Sequence, residues 1–333
     1  MRGLGTLVAA AVLAAPATVR ADVDFQLGEH RYRLAQVERT GSMPWGVTLS
    51  ADGAQLYVTH VGYRDHDNVW RLRAADLQRA AASRFPGHAV ESILARGAGI
   101  LWVTNSRVDR LLGLDPATLE VKVRDRTGRV PKDLRLSADE RTLWVAEYGA
   151  GTLAAIDAAT GARRTVAVGR RPRGVALAGG TVYVMNMGSG TVTAVDAATL
   201  AVTASIRACA GPRHAVPTAD GRLLLVTCYG GAEVAVIDRA SHRRVRRVRV
   251  GAGPKTIALT PDGRFALTAN EKGNSLSVID LARWTATTTR VPARQPCGLA
   301  LSPDGSRIYL TARGSHRLLV FEREPATFGG SDR

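Results

Sequence analysis

The sequence predicts an all-β protein: a seven-bladed β-propeller with four antiparallel strands per blade, its ring closed by an N-terminal strand that completes the last blade. Three observations predict it. First, a unit recurs from Pro44, Ala89, Pro131, Pro172, Pro212, Pro254 and Pro296, with spacings of 45, 42, 41, 40, 42 and 42 residues. Second, an apolar run ending in Asp recurs with the same period, at Asp115, Asp157, Asp196, Asp238 and Asp280. Third, Asp-Gly pairs at 52–53, 220–221, 262–263 and 304–305 separate alternating apolar runs, as hairpin turns do. Four short strands per WD40-like period of this length make a propeller blade. A helical solenoid of similar period would need 3.6-residue periodicity, and no segment has it.

The elements follow in chain order. Arg2 precedes the apolar run Leu4–Ala15, and small residues lead to Val19-Arg20-Ala21. That run is shorter than the ~20 residues of a membrane span, and its layout is that of a secretory signal peptide over 1–21. Cleavage after Ala21 removes Arg2 and Arg20 and takes the formal charge from +16 to +14. The mature chain is then a periplasmic or secreted protein without a membrane-spanning helix. Residues 22–324 form the single propeller domain. Within them, Tyr32–Arg39 precedes the first Pro unit, where other repeats have a fourth strand. The seventh repeat ends with Leu318–Phe321 and lacks such a strand, so Tyr32–Arg39 is expected to supply it and leave no open edge. Residues 325–333 read as a disordered tail.

Tyr57-Val58-Thr59-His60, Trp102-Val103-Thr104-Asn105 and Tyr183-Val184-Met185-Asn186 are variants of a YVTN motif. With Thr260-Pro261-Asp262-Gly263 and Ser302-Pro303-Asp304-Gly305, they make residues 32–322 resemble the YVTN-repeat β-propellers, the YncE-like periplasmic proteins. The resemblance implies the fold. It carries over no catalytic residue, because the matching positions are structural, and fold alone does not assign function.

Register places the Pro-led loops and the loops after the second strands on one axial face, and the Asp-Gly turns on the other. The residue after each Pro equivalent is Trp45, Val90, Lys132, Arg173, Arg213, Lys255 and Cys297. Four successive blades therefore offer a cation to one funnel. The next position adds Glu91, Asp133 and His214. The second strands end in His60, Asn105, Glu147, Asn186, Cys228, Asn270 and Ala312. The candidate ligand-binding set is Trp45, His60, Glu91, Asn105, Lys132, Glu147, Arg173, Asn186, Arg213, His214, Lys255 and Asn270. Glu91, Asp133 and Glu147 are expected to pair with some of the cations, and acids are too few to neutralise them all.

The leading reading is a monomeric binding or protein-interaction module with no chemistry of its own, its ligand at this axial face. A small anion or a protein partner is expected, with no cofactor. Two readings compete. One is a metal-dependent lactonase- or lyase-like enzyme using His60, Glu91, Glu147 and His214. Separate candidates for a divalent metal are the blade-one loop Tyr63-Arg64-Asp65-His66-Asp67-Asn68, whose carboxylates and His66 would join His60, and His214 beside Arg213 and Cys228. The other is an anion or nucleic-acid binder through the basic mouth. The run Arg243-Arg244-Val245-Arg246-Arg247-Val248-Arg249 falls on an expected outer strand. Charge there blocks edge pairing, and no interleaved aromatics offer base stacking. Cys209 and Cys228 fall on one face and are candidates for a disulfide, which leaves Cys297 free.

Overall fold

The computed structural model describes residues 23–62 and 66–325. The expected signal peptide, all of the expected tail after Pro325, and Tyr63, Arg64 and Asp65 of the blade-one loop lie outside the described residues. Seven sheets are present, six of four strands and one of five. Each is an antiparallel meander, and the innermost strands begin at the seven Pro equivalents: Pro44–Leu49, Ala89–Ala95, Pro131–Leu136, Pro172–Ala178, Pro212–Pro217, Pro254–Leu259 and Pro296–Leu301. Each inner strand touches the inner strand of the next blade, and the seventh touches the first, so the ring is closed.

Closure uses the N-terminal strand. His30–Arg39 pairs antiparallel with the third strand of blade seven, Arg317–Arg323, with Leu34 opposite Phe321 and Val37 opposite Leu319. A further strand, Asp24–Leu27, lies outside it and makes this the five-stranded blade. Sequence reading missed that extra strand because DFQL is too short to show alternation.

The sequence landmarks have local causes. Each strand-ending Asp makes an Asx turn: Asp157 Oδ1 accepts from the amides of Ala159 and Thr160, and Asp196 Oδ1 from those of Ala198 and Thr199. This turn starts the hairpin to the outer strand and satisfies amides that strands cannot. In the Asp-Gly turns, Gly263 and Gly305 sit at φ 68° and 67°, a conformation that costs glycine little.

The apolar core lies between blades. Strand alternation sends successive side chains to opposite neighbours. Tyr57 of the first blade packs with Leu101, Val103 and Leu112 of the second, while Leu56 and Val58 pack with Leu318 and Val320 of the seventh. Cys209 and Cys228 form a disulfide, their Cα atoms 5.8 Å apart, which ties the loop entering blade five to the end of its second strand. Cys297 is buried and free. The arginine run forms the outer strand Arg243–Arg249 of blade five. Arg246 stacks on Trp284 at 5.5 Å, Arg244 donates to the Ala208 carbonyl, and the rest of the strand except Val248 faces solvent. Among the described residues, no helix is long and apolar enough to cross a membrane.

The closing contact makes a direct test. Phe321 is fully buried and meets Phe25 edge-on at 5.3 Å, while Phe25 stacks on Tyr32 at 5.6 Å. Phe321→Ala removes a buried ring from the seam that joins the chain ends and is expected to cost about 3–5 kcal/mol, measured as a lowered urea midpoint. A loss under ~1 kcal/mol would mean that this seam does not hold the ring.

Candidate functional site

The axial cavity is built from the starts of the inner strands. Trp45, Val90, Lys132, Arg173, Arg213 and Lys255 line it from the first position, with Glu91, Asp133, His214 and Thr256 from the second. Its empty space, the open mouth included, is about 280 Å³, of which about 20 Å³ stands a water radius clear of the walls. The seventh first-position residue, Cys297, does not line it, because its thiol turns to the carbonyl of Pro44 at 3.2 Å.

These side chains converge because neighbouring inner strands are latched together at this level. The Thr59 hydroxyl donates to the Val90 carbonyl, Thr104 to Lys132 and Thr311 to Trp45, at 2.8, 2.7 and 2.7 Å. Where the second strand lacks Thr, other groups make the link. Asp133 Oδ2 accepts from the amide of Val175 at 2.9 Å, and the Thr256 hydroxyl donates to the Cys297 carbonyl at 2.5 Å. Gly174 and Gly298 permit the closest approaches. A Cβ at either would lie 2.3 Å from the Arg213 or Trp45 carbonyl oxygen of the next blade, which no side chain tolerates.

Trp45 is the hub. Lys255 Nζ sits 3.4 Å above its ring centroid, and the guanidinium carbons of Arg313, Arg173 and Arg213 lie 5.2, 5.5 and 6.0 Å from it. Lys132 and Arg173 approach Tyr148 at 5.8 and 5.9 Å, and Arg213 stacks on Tyr229 at 4.5 Å. Aromatic faces thus do part of the work of counter-ions, each contributing about 0.5–2 kcal/mol.

Three carboxylates enter the same cluster. Asp133 pairs with Arg135 at 2.6 Å, and Arg135 also meets His214 Nε2 at 2.6 Å. Glu271 pairs with Arg313 at 2.7 Å and Arg213 at 3.7 Å. Glu91 has neither an ion pair nor a side-chain hydrogen bond among the described residues, and its Oε2 lies against Gly46, where a Cβ would be 2.6 Å away. Lys132, Arg173 and Lys255 likewise make no hydrogen bond or ion pair among the described residues, and Lys255 Nζ is a buried donor without an acceptor.

Burial and neighbouring charge set the protonation of these groups accordingly. Burial, reinforced by Arg173, Arg213 and Lys255, pulls Lys132 down to about 7. Burial likewise draws Lys255 down to about 8, with Arg213 adding to it. Arg173 is lowered by burial and then by Arg213. Burial and then Asp133 push Glu91 up to about 7, against the pull of Lys255, Arg135 and Arg173. Glu271 goes the other way: burial raises it, but Lys255, Arg213 and Arg313 together outweigh burial and hold its carboxyl low. His214 is pulled down to about 4 by burial and then by Arg135, so it is neutral near pH 7.

Of the expected site residues, Trp45, Glu91, Lys132, Arg173, Arg213, His214 and Lys255 come together. Those from second-strand ends do not. Asn105 accepts from the His88 amide and donates to the Pro86 carbonyl. Asn186 donates to Thr191 and Thr193, and Asn270 to Ser275 and Ser277. His60 is buried against Trp70 at 5.2 Å. The expected pairing of Glu147 with the axial cations is wrong. Its oxygens accept two bonds from Arg163, at 3.0 and 2.6 Å, and others from Gly128 and Thr152. The reason is the two-residue period of a strand. The terminal residue turns into its own blade, and the following one turns to the funnel. Tyr148, Tyr229, Glu271 and Arg313 occupy that following position, and a shift of one residue in the reading would have found them.

His66, Asp67 and Asn68 are the described residues of the expected blade-one metal loop. Asp67 faces Arg79 and Arg84 at 3.1 and 3.5 Å, and Asn68 donates to the Gly87 carbonyl. Among the described residues, no group of three or more His, Cys, Asp or Glu side chains is placed to hold a metal ion.

Fold and funnel define a closed seven-bladed β-propeller with an axial cavity rich in unpaired cations. The family model of the YNCE-like beta-propeller matches residues 31–264, and the chain belongs to that family. Virginiamycin B lyase from Staphylococcus aureus is similar in structure, with TM-score 0.73 and 13% identity over 87% of this chain and 99% of that one. A chain of Kuenenia stuttgartiensis hydrazine synthase is similar with TM-score 0.64 and 20% identity over 72% of this chain and 78% of that one. At these identities the likeness is one of fold. No curated protein matches the sequence.

His60 yields a test of its structural placement. Among the described residues neither ring nitrogen has a well-formed hydrogen-bond partner, and burial pulls its pKa from 6.5 down to about 3. The folded state holds it neutral, whereas the unfolded chain protonates it below about 6.5. Its contribution is therefore complete above pH 6.5 and is lost as pH falls towards 3. His60→Phe is expected to flatten the acid limb of stability by on the order of 3 kcal/mol between those limits, read from urea unfolding at stepped pH. An acid limb as steep as wild type would mean that His60 is not the group responsible.

Proposed function

We propose that this propeller is an exported binding module whose axial funnel takes a small anionic ligand. One observation carries the reading: Lys132, Arg173 and Lys255 converge at the funnel with no hydrogen bond or ion pair among the described residues, and Lys255 Nζ is buried. A buried cationic donor without an acceptor is costly, and an anion in the funnel supplies the missing acceptor. The leader-like residues 1–21 and the Cys209–Cys228 disulfide support export to an oxidising compartment.

The lyase- or lactonase-like reading has less support. Of its four residues, Glu91 and His214 share the funnel, but His60 is packed on Trp70 and Glu147 is engaged by Arg163. The likeness to virginiamycin B lyase is one of fold and supplies no residue for chemistry. A long polyanion is also less well suited, because the unpaired cations sit in a narrow recess instead of along a track.

Calorimetric titration with sulfate at low chloride tests the reading. The wild-type chain is expected to bind, and affinity should fall as chloride rises. Lys255→Met is expected to weaken binding about 10–100-fold, the range for losing one charge-assisted hydrogen bond. Binding unaffected by Lys255→Met would place the anion elsewhere.

A further inference from the structure

The funnel contains its own negative charge, and that charge is placed to compete with a ligand. Glu91 starts the second position of blade two, inside the ring of cations. Asp133 and Glu271 are both engaged by arginines, Arg135 for the first, Arg313 and Arg213 for the second. Glu91 is the carboxylate of the cluster without such a partner among the described residues. Its oxygen is pressed against Gly46, beside Trp45 and the same lysine that an anion would use.

We infer that the axial site binds a compact dianion together with a proton, and that Glu91 is the group that takes the proton up. The inference rests on the anion-binding reading above. Before a ligand arrives, ionised Glu91 attracts Lys255 and Arg173 through space without pairing with either. An entering dianion takes over those cations and sits close to Glu91. Two negative charges in contact in so buried a site repel far more strongly than in water. Protonation of the carboxylate relieves that repulsion. No covalent bond forms or breaks, and the proton comes from solvent.

All the charged groups around Glu91 act in a defined sense. Blade two itself brings His88 to the edge of the cluster, near Lys132. Blade one presents Trp45 and Gly46, which are uncharged. Blade three presents Lys132, Asp133 and Arg135, blade four Arg173, blade five Arg213 and His214, blade six Lys255 and Glu271, and blade seven Cys297 and Arg313. Burial and Asp133 hold the Glu91 proton near neutrality, at about 7, before any ligand arrives. Below that pH the carboxyl is already neutral and no proton is taken up. Above it, binding draws a proton in, and affinity falls by up to about tenfold per pH unit. Lys132 and Lys255 lose charge in the same range, so they must be separated from Glu91.

Sulfate, which does not titrate between pH 5.5 and 8.5, is the probe. Calorimetry in buffers of differing ionisation enthalpy counts the protons. In a Lys132→Arg/Lys255→Arg chain both cations keep their charge, and proton uptake at pH 8 is expected to persist; adding Glu91→Gln is expected to abolish it. Uptake that vanishes in the double variant, or survives Glu91→Gln, overturns the inference. Should the double variant not bind, the single Glu91→Gln chain decides. It is expected to bind sulfate about tenfold more tightly than wild type at pH 8 and equally at pH 5.5, and equal affinity at both overturns the inference. Sulfate binding by wild type without proton uptake leaves the anion site standing and removes Glu91 from its mechanism. No sulfate binding by wild type at pH 6 overturns both.

Discussion

The structure depends on how each inner strand is tied to the next. The blades share no backbone ladder, so their packed side faces and a few polar latches near the axis hold them in a ring. A hydroxyl on the second strand of one blade donates to the carbonyl of the first-position residue of its neighbour, as Thr59 does to Val90 and Thr311 to Trp45. This satisfies a carbonyl that the strand bulge leaves unpaired. The same bond fixes the backbone of the residue whose side chain enters the funnel. Ring assembly and site geometry therefore rest on one contact.

That coupling explains why so much charge can be kept at the axis. Lys132, Arg173, Arg213, Lys255 and Arg313 would spread apart if their backbones were free. Latched strands hold them instead against Trp45, Tyr148 and Tyr229, whose faces attract cations without neutralising them. Only Arg213 and Arg313 have a carboxylate, and they share Glu271. The cost of gathering the cations is met by folding.

The fold was legible in the sequence, and so was about half of the candidate axial cluster. Period, Asp-Gly turns and strand-ending Asp all report backbone geometry, which a repeat restates in every blade. Tyr32–Arg39 was identifiable as the closing strand because the seventh repeat lacked one. First-position residues were legible for the same reason: Pro marks the start of each inner strand, and one step beyond it is the axis. Second-strand ends were misplaced by one residue. An inner-strand bulge shifts register between Pro44 and Val47, and again between Pro131 and Leu134. A count from the Pro therefore cannot say which residue across the hairpin faces the axis. Glu147 and Asn270 look as suited to a ligand as Glu271, and only the pleat separates them.

The arginine excess also divides by position. On the outer strand Arg243–Arg249, five exposed arginines keep an edge from pairing with another chain. There charge is cheap, because solvent screens it within about 8–10 Å. At the axis, residues some forty positions apart in sequence meet within one recess. A like-charged residue at one repeat position is unremarkable in any single blade. Closing the ring is what turns four such residues into a site, since it brings equivalent positions together and removes their solvent. The chemistry of this chain therefore belongs to no single repeat, and a reading confined to one blade at a time would not contain it.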